Sequence, residues 1–315
     1  MRRPDGLADF VRRWVMFEIL VNDILPVFSV LVLGFVLGKQ NVVSRDEAST
    51  LNRIAFLVLQ PPLIFLLLSQ VDLASFYYLA ILTYGAGQAV IFALSFALCR
   101  YVLKHELLES WLLAMATIFV NSLLYIWPIS ALIYGETGNV PIVAIVAWDA
   151  AIIFAFFVIS TDLLVHKSAS VAMSVKRLAR NPVLLTIMFA ILFNLSGLPL
   201  IAPVKTALEF LSAGTAAVTL FALGVILSAT SLVPSKTVTL LSAVKLFGLP
   251  VLVAGLLGLG DWPQQWDQLL TLNAAGPSGA MAFAIAMLYG VNPARIAPVI
   301  IWTSVLSLFT LAWLA

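Results

Sequence analysis

Apolar residues in this chain come in runs long enough to cross a bilayer, and most of its charge lies in the gaps between them. A spanning helix needs about 20 consecutive, mostly apolar residues. Ten runs qualify, at roughly 20–38, 50–69, 75–99, 111–134, 141–164, 182–198, 203–229, 237–258, 266–289 and 294–314. The connections between them are short and polar, and none could hold a soluble domain. Of the 315 residues, 62% are hydrophobic and 10% charged, where a soluble domain carries about 25% charged residues. The expected fold is therefore an all-α polytopic membrane protein with lipids as its solvent. A net charge of +2 gives no reason to expect nucleic acid as a partner. The single Cys99 excludes an intramolecular disulfide and a multi-cysteine metal site.

Basic residues alternate along the connections. Lys39, Arg45, Arg53, Arg100, Lys104, Lys167, Lys176, Arg177, Arg180, Lys236 and Arg295 fall at odd-numbered connections, and Lys205 alone falls at an even one. The positive-inside rule puts the odd side in the cytoplasm. With ten spans, both termini are expected outside, in a multi-pass inner-membrane protein. Arg2, Arg3, Arg12 and Arg13 oppose this count. They are reconciled by an interfacial helix near residues 7–20 or by translation from Met16. The expected organisation is a tail or interfacial helix over 1–19 and a five-helix repeat over 20–165. A cytoplasmic basic loop follows over 166–181, then a second five-helix repeat over 182–315.

Two runs are interrupted at matching places. Trp111–Gly135 contains Asn121, Ser122 and Pro128, and Trp266–Gly290 contains Asn273 and Gly276-Pro277-Ser278-Gly279. Both begin with Trp and end with Tyr-Gly, 155 residues apart at each end (266 − 111 and 290 − 135). An odd number of spans per half makes the halves inverted repeats. Interrupted segments at corresponding positions of two halves point to a transporter's binding site.

Motifs in nearly every run resemble the auxin efflux carrier family. Asn121 followed seven residues later by Pro128 is similar to the family's fourth span, and Ala274-Ala275-Gly276-Pro277-Ser278 with Tyr289-Gly290 to its ninth. Leu25-Pro26-Val27-Phe28, Pro62-Leu63-Ile64-Phe65, Asn181-Pro182 and Leu220-Phe221-Ala222-Leu223-Gly224 follow in family order. The chain departs from the pattern at Ile126, Val218 and Met281, where relatives usually have Gly, often Pro and often Asn. The resemblance implies a secondary carrier of organic anions, auxin-like or dicarboxylates such as malate and malonate. It implies the crossover fold of bile-acid symporters and sodium/proton antiporters. In that fold, spans 1, 2, 6 and 7 form a scaffold, which could also mediate a homodimer. Spans 3–5 and 8–10 form a mobile core, with broken spans 4 and 9 crossing near the midplane.

Chemistry selects the candidate site. Pro128 and Pro277 lack an N–H and clash with the carbonyls of Leu124 and Asn273, and the freed groups must line protein or a watery cavity. Each break creates a half-helix start with partial positive charge, which suits a carboxylate. The expected substrate-binding residues are Asn121, Ser122, Tyr125, Pro128, Asn273, Gly276, Pro277, Ser278 and Gly279. Gln60, just before Pro61-Pro62, is expected to face them across the scaffold boundary or to cap a kink. Asp149 is the lone charge in Ile142–Ile159; a carboxylate there costs about 2.5–3.5 kcal/mol on insertion scales and marks a functional position. Asp149 is expected to carry a proton or hold a cation such as sodium. Lys245 is expected to attract an anion, to pair with Asp149, or to snorkel. His105 and His166 read as solvated loop residues. No cofactor is expected, because no phosphate-binding glycine loop occurs. An intramembrane enzyme built on Asp149 would need a second carboxylate or His within a span core, and none is present.

Overall fold

A computed structural model describes residues 14–135, 137–165, 174, 179–230 and 232–315. Residues 1–13 with their arginines, and most of the basic loop 166–181 with His166, Lys167, Lys176 and Arg177, lie outside the described residues.

The described chain is helical, with no strand longer than an isolated bridge. In chain order the main helices are α1 (Trp14–Lys39), α2 (Arg45–Ser69), α3 (Tyr78–Val102), α4 (Leu107–Ile118), α5 (Ser122–Tyr134), α6 (Val140–Val165) and α7 (Pro182–Leu195). They continue with α8 (Ala202–Leu227), α9 (Lys236–Leu257), α10 (Gln264–Ala274), α11 (Met281–Leu288) and α12 (Ile296–Leu314). Among the described residues, seven of these are long and apolar enough to cross a membrane: α1, α2, α3, α6, α8, α9 and α12. Each interrupted run appears as two short helices, α4 with α5 and α10 with α11.

Helix starts differ from the hydropathy pattern where capping overrides it. The second run reads from residue 50, yet α2 starts at Arg45. Ser44 and Glu47 form a reciprocal capping box, in which each side chain bonds the other's backbone N–H. That adds a polar turn and a half to the helix and brings Arg45 and Arg53 onto its surface.

Prolines shape the interiors. Widened turns at Leu20–Ile24, Ala55–Leu59, Ser122–Ile126 and Val244–Gly248 each run directly into a segment with Pro in its first two positions. Without an N–H, proline cannot complete the i→i−4 ladder, and its ring pushes back the preceding turn. The chain closes i→i−5 bonds instead, as from Gln60 N–H to Ala55 O and from Trp127 N–H to Ser122 O. Such turns concentrate at functional sites, and Gln60, Ser122, Asp149 and Lys245 all lie in or directly after one. The turn at Asp149–Ile153 contains no proline.

Lipid provides no hydrophobic drive between helices, so close packing and small residues hold them. α1 and α8 meet at Gly34 and Gly224, where a Cβ on either would overlap the carbonyl of Phe221 or Leu31 in the facing backbone. α2 packs on α7 through Ile64, Phe65, Leu68, Val183 and Ile187. α3 packs on α4 and α9, and α9 on α10.

Candidate functional site

The two interruptions meet. Helix α4 ends at Ile118, and residues 119–121 run extended against 277–279. Asn121 N–H donates to Pro277 O at 3.0 Å, and Gly279 N–H donates to Phe119 O at 2.7 Å. Ser278 fastens the crossing from within, its Oγ donating to Ala116 O at 2.6 Å and its N–H to Thr303 Oγ1 at 3.1 Å. Backbone groups freed by each break are thus partly satisfied by the other. The first break falls at Phe119–Asn121, upstream of the Leu124 carbonyl that Pro128 alone would free; Pro128 sits in the first turn after the widened Ser122–Ile126 segment. Glycine is required on the other side: a Cβ on Gly279 would crowd Phe119 and the Val120 backbone.

A cavity of about 540 Å³ opens beside the crossing. It is lined at Asn121–Leu124, where α5 begins, and at Gly279, Ala280 and Met281, where α11 begins. The first N–H groups of a helix have no intrahelical partner, so two half-helix starts border one space. The remaining walls come from α2, α6, α7 and α8 and are mostly apolar. The cavity runs from the crossing toward the end of the bundle where α2 starts and α11 stops, reaching Arg45 and Leu288.

Asp149 is buried on this wall, at 3% exposure. Ser122 Oγ donates to its Oδ2 at 3.1 Å, and Gln88 Nε2 donates to its Oδ1 at 2.8 Å. Gln88 also donates to Ile118 O at 3.2 Å, the carbonyl at the end of α4, and accepts from Trp148 Nε1 at 2.9 Å. The indole fixes the amide, and the amide joins the carboxylate to the break. Every hydrogen bond to Asp149 comes from a donor, an arrangement that suits a carboxylate.

Lys245 does not snorkel. It is fully buried and donates to Ala274 O at 2.6 Å, placing its amino group at the C-terminal end of α10, where the helix dipole favours a donor. No salt bridge within 4.0 Å joins it to Asp149.

The expected residues divide. Gln60, Asn121, Ser122, Gly279 and Asp149 line the cavity. Pro277 and Ser278 build the crossing, and Gly276 packs against Ile126 and Val120. Tyr125, Pro128 and Asn273 are not on the cavity wall. Tyr125 is fully buried, and Asn273 Nδ2 donates to Tyr84 OH at 2.8 Å with its Oδ1 unpartnered. Gln60 is 8% exposed and makes no side-chain hydrogen bond, its Oε1 buried without a partner. Sequence reasoning missed Gln88, whose signal is a lone amide midway along an apolar run. It also read Arg45 and Arg53 as connection charges rather than cavity residues. His105 lies in a loop and is part-exposed, but it is also partnered: Nε2 bonds Thr237 Oγ1 at 2.9 Å, and Nδ1 lies 3.5 Å from Glu109, which also binds Arg295.

Comparison with known proteins places the chain among membrane transport proteins. The family described as "Membrane transport protein" matches residues 19–163 and 161–314. A Rhizobium meliloti protein named "Putative malonate transporter" is 26% identical over 303 residues, covering 92% of this chain and 93% of that protein. An "Uncharacterized transporter" of Methanothermobacter thermautotrophicus is 27% identical over 295 residues, covering 92% of this chain and 95% of its own length.

Proposed function

Because the chain belongs to the auxin efflux carrier family of membrane transport proteins, we propose that it is a secondary transporter of small organic anions, carboxylates above all. The observation that carries the reading is the backbone pairing of Val120 with Ser278 beside a cavity bordered by two half-helix starts. Unpaired N–H groups and dipole ends at such starts attract anions. Asn121, Ser122 and Gln60 supply side-chain partners there. The similarity to a protein named for malonate transport supports a carboxylate substrate.

In this reading, ten spans form two inverted five-helix repeats, and the crossing belongs to the crossover fold. The cavity is the substrate path in a state open to the cytoplasm, the side assigned by the basic connections. Residues on α2, α7 and α8 belong to a scaffold against which the crossing and α6 move, exposing the site alternately. Asp149 is the coupling group: a carboxylate on the wall repels an anionic substrate unless a proton or a sodium ion accompanies it. Lys245 holds the α10 side of the core and supplies a counter-charge.

Purified protein in liposomes tests the proposal. Saturable uptake of mono- or dicarboxylates, responding to an imposed proton or sodium gradient, is the expected result. Absence of saturable flux for a panel of such acids would falsify it, and flux that never saturates would favour a channel.

A further inference from the structure

One face of α2 supplies a wall of the cavity with a graded chemistry. Arg45, Ser49, Asn52, Arg53, Phe56 and Gln60 recur at helical spacing and all line it. Deep in the cavity is Gln60, and toward the open end are two guanidinium groups, with Arg53 roughly 10 Å along the axis from Gln60 at 1.5 Å rise per residue. Neither arginine makes an ion pair or a side-chain hydrogen bond among the described residues. Glu47 is held by Ser44 in the capping box, Asp46 makes no salt bridge to either arginine, and both arginines are exposed at the cavity mouth. The ionisable groups on the cavity wall are Arg45, Arg53 and Asp149. Asp149 is bonded by Ser122 and Gln88, and the two arginine charges have no ion-pair partner among the described residues.

On the same wall the Gln60 amide is more than nine-tenths buried and its Oε1 has no partner, so a polar ligand entering the cavity would satisfy a group the protein leaves open. Its oxygen and nitrogen exchange places by a half-turn of the amide, so it presents N–H to an anion as readily as C=O to a donor. Arginine takes carboxylates in a bidentate fork, more specifically than a point charge does.

We infer that Arg45, Asn52 and Arg53 form a second anion-binding position at the open end of the cavity, separate from the half-helix starts, and that this position selects dianions over monoanions. This rests on the transporter reading and narrows it to dicarboxylates. A substrate carboxylate engages the arginines first and then moves on toward Gln60 and the half-helix starts. Lipid phosphates carry the same chemistry and could occupy the same arginines, so the test separates the two sources.

The test compares uptake of malonate and monomethyl malonate, which differ by one charge on the same skeleton, in phosphatidylcholine liposomes with and without phosphatidylglycerol. In the wild type the KM for malonate is expected to lie about tenfold below that of the ester. Arg53→Gln and Arg45→Gln should raise the malonate KM by about tenfold while moving the ester KM by less than about twofold, with Vmax kept. Arg53→Lys, which keeps the charge and loses the fork, should fall between. Equal KM values for both acids in the wild type would overturn the inference. So would an arginine variant that shifts both acids alike, or one that changes only the response to phosphatidylglycerol, the signature of a lipid site. If Arg53→Gln fails to insert, Arg45→Gln and the wild-type comparison still decide. Failure of the broader reading looks different: neither acid, nor any other carboxylate, is taken up by folded wild-type protein.

Discussion

Ile126 fills the space beside Gly276: a Cβ placed on Gly276 would overlap Ile126 Cδ1 and lie 3.0 Å from Val120 Cγ1. Ile126 lies two residues before the Pro128 that follows the widened turn, so the crossing is packed by a branched side chain on α5 and bare backbone on the α10–α11 joint.

This pairing predicts a directional rescue. Gly276→Ala should lower thermal stability by about 1–3 kcal/mol through overpacking. Because the overlapped atom is the end of a side chain, Ile126→Ala should restore much of that loss in the double variant, a non-additivity expected of residues in contact. Thermal unfolding in detergent, followed by intrinsic fluorescence, reads the effect. Additive losses would show that the two residues do not share the space.

The contact between α1 and α8 should behave in the opposite way. Cβ atoms on Gly34 or Gly224 meet backbone carbonyls of Phe221 and Leu31, and backbone cannot be trimmed by mutation. Gly34→Ala and Gly224→Ala should each cost at least as much as Gly276→Ala, about 1–3 kcal/mol or more, with no rescue by truncating Phe221 or Leu31. Yield of monodisperse protein and melting temperature measure this. A rescue by either truncation would mean that the helices separate freely.

Much of this was legible from sequence, for physical reasons that mark the boundary. Prolines and glycines in apolar runs reveal breaks because the rules of backbone hydrogen bonding in lipid are local. Asp149 stood out because a carboxylate in hydrocarbon is costly wherever it sits. The position of the first break was not legible: extended residues 119–121 owe their conformation to 277–279, more than 150 residues away in sequence. Gln88 escaped because an amide is weakly disfavoured in a span and its value lies in three partners from other elements. Arg45 and Arg53 escaped because hydropathy starts the second run at residue 50, whereas the Ser44–Glu47 cap extends the helix to Arg45.

Coupling should be readable at Asp149. If this carboxylate exchanges a proton during transport, wild-type uptake should rise with an inward proton gradient. Asp149→Asn, which preserves size and can still bond Ser122 and Gln88, should abolish that response. Gln88→Leu leaves Trp148 Nε1, Ile118 O and Asp149 Oδ1 without their partner. It should lower stability by about 1–3 kcal/mol per buried group left unsatisfied, and blunt the gradient response without removing it. Gradient-driven uptake in liposomes decides. An Asp149→Asn carrier with the wild-type response would remove this residue from coupling.

Asp149 and Lys245 are both buried ionisable groups and make no salt bridge to one another, so whether they share a charge balance is decided by their coupling in stability. Removing one partner of a buried pair strands the other, which costs more than removing both. Lys245→Met should therefore be the more damaging single change, since it also deprives Ala274 O of its 2.6 Å bond at the end of α10. Adding Asp149→Asn to Lys245→Met should recover part of the lost stability, with a coupling of about 0.5–3 kcal/mol between the two sites. The recovered variant should still fail to respond to a proton gradient, because the group that exchanges the proton is gone. A four-protein cycle measured by thermal unfolding and by uptake separates these effects. Strict additivity in stability would mean that Lys245 serves the α10 terminus alone and that the counter-charge of Asp149 lies elsewhere.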